Sequence, residues 1–406
     1  MESNSIYNKE ELISLRQHFH QFPELAFAEH ETVKTIIDYL SNKCKIPIEC
    51  IQQGIGKTGL VVDIRGKANP EGKDFCVAFR ADMDCLPMEE NTGLPYTSKI
   101  PGKAHSCGHD GHITSLLGLA ALVSQNLNSI PSNKITRLLF QPAEEFCRKN
   151  NTGGAKLMVE DGCMKGVDEV YGYHNVPSFP LGHLAVKEGP VMSAITVIKF
   201  IVLGKGGHAS VPHLSNNPVD AGVDVYLEIK KIEEKFNNDK RKFVMCFPMF
   251  NAGTADNVIP DTSEIAGTVR TLEIGLEDEI LKEFGARLPI VCQKHNCSLE
   301  TIVKPGYPIV DNHKEQADII ERLGKNQFGE KLVDKSLLPI MASEDFSYFL
   351  IEKPGCFFFI GGKEKEDEPG LHCSNYNFKD SNLDVVSKFY LTILLDRFGL
   401  DKSKFK

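Results

Sequence analysis

Short apolar runs alternate along this chain with stretches at helical spacing, and the runs end again and again in carboxylates or histidines. No other feature narrows the fold as far. The runs Leu60–Ile64, Phe75–Phe79, Ile135–Phe140 and Cys356–Ile360 are bounded by Gly or by charged and polar turns, as buried strands are. Around them, Leu12, Leu15, Phe19 and Phe22, then Val33, Ile36, Ile37 and Leu40, recur at helical spacing with a break at Pro23. Lys314–Asn326 and Asp384–Arg397 read as further helices. Such alternation predicts an α/β fold: a central mixed, partly parallel sheet flanked by helices, with its chemistry in the crevice beyond the strand ends.

From about Val191 the texture changes. A strand at Ile195–Leu203 is followed by a helix at Pro218–Phe236, strands at Phe243–Phe247 and Ser263–Arg270, a helix at Leu276–His295 and a strand at Ser298–Val303. The order β-α-β-β-α-β predicts a ferredoxin-like α+β domain inserted into the first. The expected division is 1–190 for the first part of the larger domain, 191–304 for the insertion and 305–406 for the remainder. A chain of 406 residues with 41% hydrophobic content is long enough for two such cores.

Composition removes several function classes. The formal charge is −9, from 46 Lys plus Arg against 55 Asp plus Glu, and no basic block interleaves with aromatics, which argues against nucleic acid and anionic membranes as partners. The longest apolar runs fall far short of the roughly 20 residues of a membrane span. Twelve cysteines without regular spacing, behind a start that shows no basic region leading into an apolar core, point to free thiols in a reduced, cytoplasmic setting.

The chemistry-bearing stretch is His105-Ser-Cys107-Gly-His109-Asp110-Gly-His112, which runs into the apolar Ile113–Val123. Cys107 and His109, separated by Gly108, can turn toward one point where a loop meets a helix, and thiolate and imidazole are ordinary ligands for a borderline-soft divalent ion. A free cysteine among scattered histidines explains the stretch equally well, and two ligands do not fill a coordination shell. Other candidates stand at run ends: Asp82 and Asp84, the adjacent pair Glu144-Glu145, and His174. Neighbouring glutamates point different ways, so one can bind a metal while the other faces a reacting water; a solvated acidic turn is the plainer reading. Within the insertion, His208, Asn257 and Arg270 lie in or beside loops, where surface and turn roles compete with function.

Taken together, Phe79-Arg-Ala-Asp-Met-Asp84, Cys107-Gly-His-Asp110, Gln141-Pro-Ala-Glu-Glu145, Gly204-Lys-Gly-Gly-His-Ala-Ser210 and Ser343-Glu-Asp-Phe346 make the chain resemble the metal-dependent amidohydrolases. That family includes hippurate hydrolase, bacterial N-acyl-amino-acid deacetylases and plant hydrolases of indoleacetyl-amino acid conjugates. The resemblance spans nearly the whole chain in motif order. It implies metal ligands at Cys107, His109, Glu145, His174 and His372, with Glu144 as general base and acid. Asp84 would orient a ligating imidazole, His208 would contact the reacting carbonyl, and Asn257 and Arg270 would hold the carboxylate end of the substrate. The role of Asp82 stays open. The implied cofactor is a divalent metal, two ions of manganese, zinc, cobalt or nickel, and the implied substrate an N-acyl amino acid or dipeptide. The inserted domain would mediate dimerisation, giving a homodimer or higher oligomer, and would close over the site.

Two departures bear on substrate preference. Phe146–Thr152 intervenes between the glutamate pair and Gly153-Gly154, where the family commonly has glycines at once, and Leu371-His-Cys-Ser-Asn-Tyr376 replaces a His followed by Asn or Ser and Pro. Two other hypotheses stay open at this point: a thiol hydrolase with Cys107 as nucleophile and His109 or His112 as base, and a catalytically silent binding relative, against which every implied ligand is present.

Overall fold

The structure is a computed structural model that describes residues 5–146 and 153–405. The strands of its two larger sheets are β1 Ile51–Ile55, β2 Gly59–Arg65, β3 Phe75–Asp82, β4 Lys134–Gln141, β5 Glu169–Pro180, β6 Leu184–Ala185, β7 Ala194–Leu203, β8 Phe243–Ala252, β9 Thr262–Thr271, β10 Ser298–Pro305 and β11 Gly355–Lys363. The chain divides into two compact units. One runs to Val191 and resumes over Val310–Pro339 and from Asp345; the other comprises Met192–Ile309 and Ile340–Glu344.

The first unit is built on a seven-stranded sheet of order β1-β2-β4-β3-β5-β11-β6. β4, β3, β5 and β11 run parallel, while β1, β2 and β6 join antiparallel at the two edges. Parallel strands covered on both faces need apolar residues without alternation, and β3 and β11 are buried almost end to end. This is the mixed α/β sheet that the run pattern predicts. Their parallel sense brings the C-terminal ends of β3 and β4 to one edge, with Asp82 in register with Gln141.

Helix His109–Gln125 is buried along all but its last residue, as its mainly apolar stretch from Ile113 to Val123 requires. It packs against helix Ser381–Phe398, approaching so closely that a Cβ on Gly118 would lie 2.1 Å from Ser387 Oγ. Rings of Phe79, Tyr171, Tyr173, Phe358, Phe389 and Tyr390 join this core. Each such side chain removed from water contributes about 1.5–3 kcal/mol. Helices Lys9–Gln21 and His30–Asp38 flank the break at Pro23.

The second unit is a four-stranded sheet of order β8-β9-β7-β10, antiparallel at every junction, with helices Pro218–Asn238 and Leu276–Lys294 supplying its core. In order of appearance the strands lie four, one, three, two, the ferredoxin-like arrangement. β7 and β9 alternate buried and partly exposed residues, as a sheet covered on one face does. The unit takes in more chain than 191–304 because two later segments bond to it: Tyr307 O accepts the Ile195 N–H at 3.1 Å, and Ala342 O accepts that of Ser193 at 2.9 Å. No helix of the described residues is long and apolar enough to cross a membrane.

Candidate metal centre

The Cys107–His109 corner turns on Gly108, whose φ of 95° lies in the left-handed region. A side chain there would also collide with Asn175, whose Oδ1 would sit 2.2 Å from the added Cβ. The turn starts helix His109–Gln125, so His109 is fixed by the first helical residues. Its Nδ1 donates to the Asp84 carbonyl at 2.8 Å, which leaves Nε2 facing inward, buried and without a hydrogen-bond partner. An orphaned buried nitrogen of this kind is costly unless something binds it. Burial pulls the His109 imidazolium down, but Asp82 and Asp84 outweigh it and push it up to about 10. The pocket therefore favours positive charge at this atom.

β4 delivers the glutamate pair. Beyond Gln141 the chain passes through Ala143, at φ 54°, into a single 3-10 turn that carries Glu144 and Glu145. The Asp84 carboxylate accepts both their amides, Glu144 N–H on Oδ1 and Glu145 N–H on Oδ2, each at 3.0 Å. Asp84 thus meets His109 chiefly through its carbonyl, the carboxylate being 3.4 Å from His109 Nδ1.

Ligating atoms of Cys107, Glu145 and His372 lie within 4.8 Å of one another, as do those of His109, Glu144 and Glu145. His372 Nε2 is 3.0 Å from Glu145 Oε1, and its backbone, at φ 62°, is held by donation to Ser106 O at 2.8 Å. His174 completes the set: its Nδ1 donates to Asn175 O at 2.7 Å, leaving Nε2 at 3.4 Å from Cys107 Sγ. All five residues implied as ligands are thus brought together with Glu144. Burial, then the Glu145 and Glu144 charges, hold the Cys107 thiol well above its usual range, while burial keeps His174 well below. The neutral imidazole of His174 and a thiol that ionises only beside a cation are donors that suit a divalent ion.

Asp82 and His112 lie directly behind these residues. His112 engages Asp82 Oδ1 through Nδ1 and Asn175 Oδ1 through Nε2, both at 2.6 Å, so it offers no free nitrogen to the Cys107 thiol. Asp82 Oδ2 accepts from Arg80 Nη1 at 2.7 Å and sits 3.6 Å from His109 Nε2. Arg80, fully buried, also binds Gln141 Oε1 at 2.7 Å and Asp345 Oδ1 at 3.1 Å. Sequence reasoning named none of Arg80, Gln141, Asn175 or Asp345 individually. The one signal was position: Arg80, Gln141 and Asp345 fall inside quoted motifs, and Asn175 follows the candidate His174.

In the second unit, His208 pairs across a short ladder with Val258, and Asn257 O accepts the Ala209 N–H at 3.1 Å, so these two candidates are neighbours. His208 Nδ1 accepts the Ser210 N–H at 3.1 Å, which places the ring hydrogen on Nε2. Arg270 Nη1 donates to Met341 O and Ser343 Oγ, both at 3.0 Å. Cys147 to Thr152, most of the stretch that departs from the family pattern, lies outside the described residues.

Thiol, imidazole and carboxylate donors gathered beside a mixed sheet, in a chain with a ferredoxin-like insertion, fit the class of metal-dependent amidohydrolases, hydrolases of carbon–nitrogen bonds. Within that class the chain belongs to peptidase family M20/M25/M40, whose model matches residues 78–396. It is 36% identical to thermostable carboxypeptidase 1 of Saccharolobus solfataricus over 357 residues, 87% of this chain and 86% of that protein. It is 35% identical to hippurate hydrolase of Campylobacter jejuni over 393 residues, 95% and 96% of the two chains. Among solved structures, a dinuclear metal binding peptidase of Bacillus subtilis from the M20 family matches with a TM-score of 0.80 and 27% identity, covering 97% of this chain and 99% of the other.

Proposed function

We propose that this chain hydrolyses the amide bond of N-acyl amino acids, releasing a carboxylate and a free amino acid. The observation that carries this reading is the pair of overlapping donor groups, Cys107–Glu145–His372, which reaches the surface at His372, and the more deeply placed His109–Glu144–Glu145; they share Glu145 and include an orphaned, buried His109 Nε2. Cys107, His109, Glu145, His174 and His372 are the ligands proposed for two divalent ions. The chemistry such ions supply is Lewis acidity, which lowers the pKa of a water from 15.7 to about 7 and polarises a carbonyl.

The remaining work falls to side chains. Glu144, buried and held through its amide, takes the proton of the attacking water and returns it to the departing nitrogen, a transfer worth about 10²–10⁴ in rate. His208 presents Nε2–H as a hydrogen-bond donor for the substrate carbonyl oxygen as negative charge develops there. Asn257 and Arg270 are proposed for the substrate's carboxylate end. The carboxypeptidase relative favours a second reading with the same mechanism, in which the scissile bond is a peptide bond next to a C-terminal residue.

Edge strand β8 leaves Val244, Met249 and Phe250 exposed, which supports self-association of the second unit into a homodimer. Sedimentation of the purified chain as a monomer would remove that part. Free thiols from Cys44 to Cys373 support a reducing, cytoplasmic setting. The test of the main reading is a turnover screen across N-acetyl, N-benzoyl and indoleacetyl amino acids and short dipeptides. Cleavage of at least one N-acyl amino acid is expected; cleavage of dipeptides alone would select the second reading, and no cleavage of either class rejects both.

A further inference from the structure

The turn that carries Glu144 and Glu145 is held by an acid to which no role has yet been given. Glu29 is fully buried just ahead of helix His30–Asp38. Its Oε1 accepts the Ala143 N–H at 2.9 Å and its Oε2 the Thr58 hydroxyl at 2.5 Å. Asp84 accepts the next two amides, so three consecutive N–H groups, from Ala143 to Glu145, end on two carboxylates. From the other side, Ala143 O accepts the Gly154 N–H at 3.1 Å.

Ala143 is the residue that most needs such support. At φ 54° it occupies the left-handed region without being glycine, a conformation that persists only where its surroundings over-determine it. The direction in which the next two side chains leave the backbone depends on that dihedral. Burial, then the neighbouring Asp84 charge, push the Glu29 carboxyl up to about 7, which shows how tightly two acids are crowded onto this one turn. A surface glutamate would do none of this.

We propose that Glu29 is a positioning residue for hydrolysis: by fixing the Ala143 amide it sets the left-handed turn that aims Glu144 at the reacting water. The proposal rests on the role given to Glu144 above. It asks Glu29 for a hydrogen-bond acceptor at the right distance, not for charge. Displacing a catalytic group by about 1 Å can cost about 10² in rate even when the change lies away from the chemistry.

Three variants test this, each measured for kcat, KM and metal content on folded protein whose melting curve is recorded. Glu29→Met removes both acceptors, and kcat is expected to fall at least about tenfold with KM within about twofold and metal content unchanged. Glu29→Gln keeps a carbonyl oxygen for Ala143 and is expected to recover kcat to within about threefold. Glu29→Asp keeps the charge but draws it back by one methylene; kcat is expected to stay low, and this variant serves if the Met protein does not fold. Full kcat in the Met or Asp protein would overturn the proposal. So would a Gln protein as slow as the Asp one, or losses that merely track the folded fraction or the metal content. An inactive wild type would instead reject the proposed function itself, so the two failures are distinct.

Discussion

Replacing Gly108 by alanine should damage this protein in two separable ways. At φ 95° an L-residue bears strain of about 1–2 kcal/mol. The new Cβ would also lie 2.2, 2.8 and 2.9 Å from Oδ1, Cγ and Nδ2 of Asn175, well inside contact distance. Asn175 has nowhere to go without loss, because its Oδ1 is 2.6 Å from His112 Nε2 and its Nδ2 donates to Tyr376 Oη at 2.5 Å, all three residues being buried. Breaking one of these bonds adds about 1–3 kcal/mol. The expected total is about 2–5 kcal/mol, a large part of the 5–15 kcal/mol that holds a typical domain together. Gly72→Ala is the control: its φ is 69° but nothing lies within 4 Å of its added Cβ, so it isolates the strain. Urea denaturation of the three proteins measures the difference, and metal titration should show weakened binding only in Gly108→Ala, since Cys107 and His109 flank the turn. A Gly108→Ala protein no less stable than Gly72→Ala, with metal affinity equal to wild type, would refute the reasoning.

Four further outcomes are expected. Glu144→Gln should keep its metal and lose turnover by about 10² or more, and unimpaired hydrolysis would reject its role. Cys107→Ser and His109→Ala should lose metal first, which elemental analysis of the purified variants will report; full metal occupancy in both would remove them from the ligand set. Asp84→Asn turns an NH2 toward one of the two amides its carboxylate now accepts, so a destabilisation of about 1–3 kcal/mol with slowed turnover is expected. Melting curves and assays of that variant should show both effects together. Burial pulls His20 down, but Asp110 and Glu90 hold it at about 9. The folded state then binds its proton more tightly than the unfolded chain. That stabilisation is complete below about pH 6.5 and is lost as pH rises through about 9, amounting to about 3 kcal/mol at most. Chemical denaturation between pH 6.5 and 9 should slope downward in wild type and less so in His20→Gln, and equal slopes would contradict the assignment.

The sheet was readable because β3 and β11 are buried on both faces, which leaves uninterrupted apolar runs in the sequence. β5 was legible only at its start. Its polar continuation through Tyr173-His174-Asn175 looks like a loop until neighbouring side chains satisfy it. The candidate centre was recognisable in its residue types and order, because Cys107, His109 and the glutamate pair sit at run ends. What supports it was not. Nothing in the type or spacing of Arg80 tells it from a surface cation, yet it is buried between Asp82 and Asp345, 265 positions from the latter. Glu29 sits in the charged string Glu29-His30-Glu31 and carries no pattern that tells it from a solvated helix start. Non-local hydrogen bonds of this kind leave no periodicity. The same reason accounts for Ile340–Glu344, whose attachment to the second unit depends on backbone bonds to Ser193 and on Arg270.

The most direct test is the metal content of the purified chain, followed through chelation and re-addition while hydrolysis of an N-benzoyl amino acid is monitored. Two divalent ions per chain are expected, with activity that disappears when they are stripped and recovers when manganese, zinc, cobalt or nickel is returned. A chain that hydrolyses the substrate equally well after complete removal of metal would contradict the metal-dependent mechanism.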